Sequence, residues 1–196
     1  MRKPIIYFAG KIAKDDWRSE ILRHRPGGVF YFKDLLDPEA AEEYPTFIYG
    51  GPFFIACDHG CAHGPATHGA RPSPCTHATN DLADKLELHG KIWCVNNERI
   101  RRADFVFAYI NETNCFGTLV ELGYAAALDK AIGIGIGRNI KIEQYDDLWM
   151  PRICHSMLTG EWLGTPQETF TAFLTCAAVH WQAVTGAEIF LQGLTD

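Results

Sequence analysis

Six consecutive apolar residues, Phe105 to Ile110, are followed after a short polar turn by an almost wholly apolar run from Phe116 to Leu128. An unbroken apolar run of strand length has no solvent face. It reads as a strand buried on both sides, which is the signature of a parallel sheet covered by helices. The run after it is long enough for a helix, and its glycine turn and placement make the unit strand–turn–helix. Pro4 to Ala9, ending at Gly10, reads as a first strand of the same kind, and Ala131 to Ile136 as a later one.

The rest of the framework follows from breakers and caps. Asp15 or Asp16 can cap a helix through about His24, with Trp17, Ile21 and Leu22 on its apolar face. Pro26-Gly27-Gly28 breaks it, and Val29 to Phe32 reads as strand two. Strand, helix, strand in that order implies parallel pairing through a right-handed crossover. From about residue 34 to 78 the alternation stops, although Phe47 to Ala56 reads as an extra strand or hairpin. Asp81 to His89 reads as a helix ending at Gly90, and Asn97 to Arg102 as a second short one. A last helix runs from Thr165 to about Val184, with Thr165 as cap and Pro166 in the first position. The expectation is one α/β domain over residues 1–196. Its core is a single doubly wound, mostly parallel sheet of four or five strands, flavodoxin-like or Rossmann-like, with a long Cys/His-rich insertion loop at about 45–78.

Composition narrows what such a domain does. A net charge of −6 argues against a nonspecific nucleic-acid binder, which needs clustered Lys and Arg. It leaves room for a small nucleotide, because backbone N–H groups bind a phosphate without net positive charge. No apolar run reaches the ~18 residues of a membrane span. The opening MRKPIIYFAG breaks at Gly10 and is followed by charges, so it reads as a strand and not a secretion signal. Seven cysteines, an odd number, fit reduced thiols better than a disulfide framework. A cytoplasmic protein without a membrane partner is expected.

The chemistry concentrates in Asp104–Ala125, where the strand enters the glycine turn. Ligands of open parallel sheets bind beyond the carboxyl ends of the strands. Gly117 allows close backbone approach there, and the first helical N–H groups point into the same space. Glu121 stands in an otherwise apolar helix, where a carboxylate is costly unless it is used or paired. An alternative is purely structural: Thr118-x-x-Glu121 has the spacing of a capping box.

The segment FGTLVELGYAAALDKAIGI resembles the signature of nucleoside 2-deoxyribosyltransferases and their nucleotide N-hydrolase relatives. The opening IYFAGKI followed by Trp17-Arg18, and the strand start Ala103-Asp104, fit the same pattern. The likeness covers the framework at both ends and leaves out the middle loop. The glycine-threonine-glutamate motif is also similar to that of the cytokinin-activating phosphoribohydrolases, which cleave a related bond. The resemblance implies that Glu121 attacks the anomeric carbon, forming a covalent glycosyl-enzyme that another base or water releases. A carboxylate suits an oxocarbenium-like transition state. It further implies that Asp104 helps position sugar or base, and that Tyr7 and Gly10 line the pocket. By their residue types alone, Asp104 also fits a cap or solvated strand start, and Tyr7 ordinary core. The family has an aspartate where this chain has Cys115, so leaving-base chemistry and sugar preference can differ. Homo-oligomers are also implied, with Phe170, Phe173, Leu174 and Trp181 either forming that contact or packing on the sheet.

A second cluster lies in the insertion: Cys57, Asp58, His59, Cys61 and His63, then His68, Cys75 and His77. Three readings stay open. Cys57, Cys61, Cys75 and His77 can hold zinc, although the spacing matches no standard knuckle. Asp58, His59 and His63 can instead line a substrate loop, bonding a phosphate or protonating the leaving base. Or the histidines satisfy only the loop itself. No cofactor is required by the chemistry; zinc is the one candidate. Gly133-x-Gly135-x-Gly137 looks like a dinucleotide fingerprint, but it falls inside a strand with no helix directly after it, so close packing is the better reading. Arg138 is placed to reach an anion, and Arg99, Arg101 and Arg102 read as a solvated face. The expected activity is therefore cleavage or transfer at the N-glycosidic bond of a nucleoside or nucleotide. Its rivals are an NAD glycohydrolase and an inactive nucleotide-binding sensor.

Overall fold

The structure, a computed structural model, describes residues 2–11, 17–22, 38–39, 41–52, 82–154 and 160–186. The expected strand at Val29–Phe32, the caps Asp15 and Asp16, and the insertion from 53 to 78 lie outside the described residues. Six strands form one sheet: β1 Ile5–Ala9, β2 Glu42–Glu43, β3 Ile48–Tyr49, β4 Phe105–Ile110, β5 Ala131–Gly137 and β6 Glu161–Gly164. Their order is β2-β3-β1-β4-β5-β6, and every pairing is parallel except β2 with β3. The helices are α1 Arg18–Leu22, α2 Leu82–Arg102, α3 Phe116–Ala127, α4 Ile142–Asp147, α5 Trp149–Arg152 and α6 Pro166–Thr185. The doubly wound α/β class is as the apolar strands required.

Two cores sit on the two faces of the sheet. Ile6, Phe8, Phe105 and Phe107 point to one side, where they meet Trp17, Phe170, Phe173 and Trp181. Tyr7, Ala9, Val106, Ala108 and Ile134 point to the other, where α2 and α3 bring Ile100, Leu122 and Ala125. The period of two along each strand thus separates an aromatic layer from an aliphatic one. Phe170, Phe173, Leu174 and Trp181 are buried on the sheet, so of their two expected roles they take the packing one. The large apolar side chains left in solvent include Val179 and Val184 on the outer face of α6, Phe116 and Val120 on α3, Trp149 and Met150 on α5, and Ile153 just after it.

The glycines of β5 explain how α6 comes so close. A Cβ at Gly133 would stand 2.3 Å from Phe173 Cδ2, and one at Gly135 would stand 2.6 Å from Thr169 Oγ1 and 2.8 Å from Tyr109 Cδ2. The GIGIG run is a packing groove for a helix and not a phosphate loop. Arg138 just beyond it pairs with Glu168 at 2.8 Å.

Three expectations change. Gly90 does not end a helix: α2 runs through it to Arg102, because Lys91 to Asn96 continue the helix, whose inward stripe holds Asn96, Arg99 and Ile100. One glycine costs a helix only about 1 kcal/mol, which a helix of 21 residues absorbs. Arg99 does not belong to a solvated face, being 1% exposed. The sheet has a sixth strand, β6, whose four residues are too few for a periodic signal. Among the described residues no helix is long and apolar enough to cross a membrane.

Two alanine substitutions test this packing with opposite signs. Gly135→Ala is expected to destabilise the fold by about 1–3 kcal/mol through overpacking. Gly90→Ala, where a Cβ meets nothing within 4 Å, is expected to stabilise it by about 0.5–1 kcal/mol. Urea unfolding of both variants checks the pair.

Candidate active site

The sheet places β3 on one side of β1 and β4 on the other. The chain's connections therefore leave in opposite directions at the β1/β4 boundary, and a crevice opens beyond the carboxyl ends of those strands. Gly10 and Lys11 continue β1 into this crevice. Asn111 to Cys115 continue β4 into it, and α3 starts at Phe116. A cavity of about 330 Å³ lies there, with Glu121 in its wall.

Glu121 sits beyond the first turn of α3, on the side near the buried stripe Thr118, Leu122 and Ala125. Its Oε1 accepts a hydrogen bond from the Tyr7 hydroxyl at 2.5 Å. The Gly10 backbone N–H, close by, and the charge of the Arg18 guanidinium both lower the proton affinity of the same carboxylate. Burial is nevertheless the largest influence, and it pushes the Glu121 carboxyl up from its ordinary 4.5 to about 7. Burial, with the adjacent carboxylate, also holds Tyr7 well above the ordinary phenol range, so Tyr7 stays a donor. The capping-box alternative does not hold. The N-cap of α3 is Cys115, which makes no side-chain cap bond, and Thr118 is already inside the helix.

The other expected residues divide into three groups. Tyr7, Gly10, Cys115, Gly117, Thr118 and Glu121 come together at the crevice, Tyr7 beneath it through its bond to Glu121. Cys115 is 3% exposed, and burial raises its thiol above the ordinary range, so it is a neutral wall and not a thiolate nucleophile. A Cβ at Gly117 would meet no protein atom within 4 Å, so internal packing does not demand glycine there. The Thr118 hydroxyl is buried beside the Cys115 thiol, without a partner in hydrogen-bond geometry among the described residues.

Asp104 is not brought to this site. It precedes β4, at the opposite end of a strand about 20 Å long. There its Oδ2 accepts from the Ile5 N–H at 2.8 Å and its Oδ1 from Arg2 at 2.7 Å. It borders a different cavity, of about 370 Å³, with Lys130 and His180. That cavity is the larger, but the Lys130 ammonium is engaged by the carbonyls of Arg101 and Ala103. The third group, Cys57, Asp58, His59, Cys61, His63, Cys75 and His77, lies outside the described residues. Among the described residues no three His, Cys, Asp or Glu side chains are grouped to hold a metal.

Four residues that line the cavity, Lys11, Asn96, Asn114 and Phe116, were not among the expected site residues. Asn96 of α2 lines the cavity, is 8% exposed, and its Oδ1 has no hydrogen-bond partner among the described residues. The signal existed: Asn96 lies four residues before Ile100 and seven before Ala103, a polar break in an apolar stripe. It shows only once α2 is read as a single helix. Lys11 completes the rim, bonding Glu112 at 2.9 Å and Asn114 at 3.1 Å.

Compared with protein-family models, curated proteins and solved structures, the chain matches none.

The raised Glu121 carboxyl has a stability consequence with a definite sign. The unfolded chain ionises this group near 4.5 and the folded chain near 7, so the folded state holds the proton more tightly. Stability therefore falls as pH rises through that window, and the full loss is present above it. Glu121→Gln removes the loss. At about pH 8 the variant is expected to be more stable than wild type by about 2 kcal/mol, allowing for partial exposure, and at about pH 4 nearly equal. Thermal unfolding across pH checks it; a pH-independent difference contradicts the assignment.

Proposed function

We propose that this chain cleaves or transfers at the N-glycosidic bond of a nucleoside or nucleotide, with Glu121 as the nucleophile. The observation that carries the reading is a single one. A carboxyl is held at the wall of the switch-point crevice by a phenol, with its proton affinity raised to about 7. A carboxyl in a cleft with its proton affinity moved toward neutrality is what general catalysis by a carboxylate requires.

In this mechanism the ionised Glu121 attacks the anomeric carbon. The C–N bond breaks, its electron pair leaves with the base nitrogen, and that nitrogen takes up a proton. Water or a second base then attacks the same carbon and releases the carboxylate. Tyr7 holds Oε1, which fixes the plane of the carboxylate and leaves Oε2 as the attacking atom. Its hydrogen bond also stabilises the carboxylate as the leaving group of the second step. The buried Asn96 carbonyl and Thr118 hydroxyl, neither with a partner in hydrogen-bond geometry among the described residues, supply an acceptor and a donor for substrate polar groups. Phe116, 73% exposed at the mouth, offers a ring face for a base.

The test is chromatographic detection of free base after incubation with nucleosides, 5′-mononucleotides and NAD, with and without an acceptor base. Base release is expected to disappear in Glu121→Ala. In wild type it rises with pH to a midpoint near the Glu121 value of about 7. Tyr7→Phe is expected to lower the rate about 10- to 100-fold, the worth of a hydrogen bond to a charged group. Release of nicotinamide alone would narrow the substrate to NAD. Ligand binding with no release from any compound would move the assignment to a sensing role.

A further inference from the structure

Beneath the crevice lies a charged side chain that the mechanism has not used. Arg18, at the start of α1, is 0% exposed. Its Nη2 donates to the carbonyls of Phe8 at 2.9 Å and Gly10 at 2.8 Å, its Nε to Phe8 at 3.3 Å, and its Nη1 to Lys11 at 3.4 Å. The guanidinium also lies over the Trp17 ring, 4.5 Å from its centroid. Those three carbonyls are where β1 stops pairing and turns into the crevice. In the same short stretch the chain faces Glu121 twice, with the Tyr7 hydroxyl and the Gly10 N–H. One buried cation therefore fixes the backbone on either side of both donors.

We propose that Arg18 is a positioning residue for Glu121: it clamps the carbonyls of Phe8, Gly10 and Lys11 so that β1 presents both donors to the carboxylate, and it supplies the positive charge that keeps a buried carboxylate ionisable. Among the described residues, the groups facing Glu121 leave this charge to Arg18. Tyr7 from β1 is a neutral phenol, and Cys115 before α3 is a neutral thiol. Lys11 after β1 is matched by Glu112 after β4 at 2.9 Å, a pair at the rim. Arg18 lowers the proton affinity of both Glu121 and Tyr7. The catalytic consequence rests on Glu121 being the nucleophile; the geometry does not.

The test reads Glu121 directly, without turnover. Carboxyl carbon NMR, with the Glu121 resonance assigned through Glu121→Gln, gives its titration midpoint in wild type, Arg18→Gln and Arg18→Lys. In folded Arg18→Gln the midpoint is expected to rise by about 1 pH unit or more, the effect of withdrawing a nearby opposite charge. Arg18→Lys, which keeps a charge without the fork, is expected to fall between the two. A folded Arg18→Gln with an unmoved midpoint overturns the proposal. If that variant does not fold, the wild type decides: the Arg18 Nε resonance is expected to shift with the Glu121 midpoint, and one silent through it overturns the proposal. Where base release is detectable, the acid limb of its pH profile should move with the midpoint, and kcat should fall more than KM rises. A shifted midpoint in a protein that releases no base would leave Arg18 assigned and reject the nucleophile.

Discussion

The hydrogen bond between Tyr7 and Glu121 spans 114 residues of sequence, and most of the fold is needed to make it. Tyr7 is in the second core because β1 alternates, sending Ile6 and Phe8 to the aromatic face and Tyr7 to the α3 face. Glu121 meets it because β4 lies directly beside β1, in the register Tyr7↔Val106, and α3 returns over that pair. Slipping β1 by one residue would send Tyr7 into the aromatic layer and bring Phe8 under the helix. The site is thus a consequence of sheet register.

Register is in turn secured away from the site. Asp104 takes the Ile5 N–H and Arg2 at the far end of β1 and β4, pinning the two central strands at the end opposite the crevice. On the aromatic face α6 is drawn against β5 by glycines that leave no Cβ in its way, and it starts with a full capping box, Thr165 with Glu168. α3 is built differently. Its first turn has no side-chain cap, and its outer face exposes Phe116 and Val120.

How much of this could be read beforehand depended on how local the cause was. β4, α3, β5 and α6 were legible because an apolar run, a glycine turn or a Thr-Pro start declares itself within a few residues. Glu121 was legible as an anomaly, a carboxylate in an apolar helix. Its role was ambiguous, because Thr118-x-x-Glu121 is a valid cap on paper and only the observed start at Phe116 disposes of it. Asp104 and Glu121 flank the same strand and looked like partners. A strand is a spacer, however, and residues before and after it emerge at opposite edges of the sheet. Asn96 and the long α2 were hidden by Gly90, a residue whose helix-ending meaning depends on a left-handed backbone that it does not adopt.

The balance at Glu121 shows why a buried arginine is not surplus here. Burial alone would make the carboxyl a neutral acid at physiological pH, and a neutral acid does not attack an anomeric carbon. Full solvation would keep it ionised, but a well-hydrated carboxylate is a weak nucleophile. The structure stands between these limits: burial raises the proton affinity, and Tyr7, Arg18 and the Gly10 N–H lower it, leaving a value of about 7. All three compensating groups belong to β1 or to the helix that follows it. The carboxylate itself is carried by α3, on the far side of the switch point. The ionisation of Glu121 is therefore set by how two βα units meet, and a substitution that loosens their contact should change it.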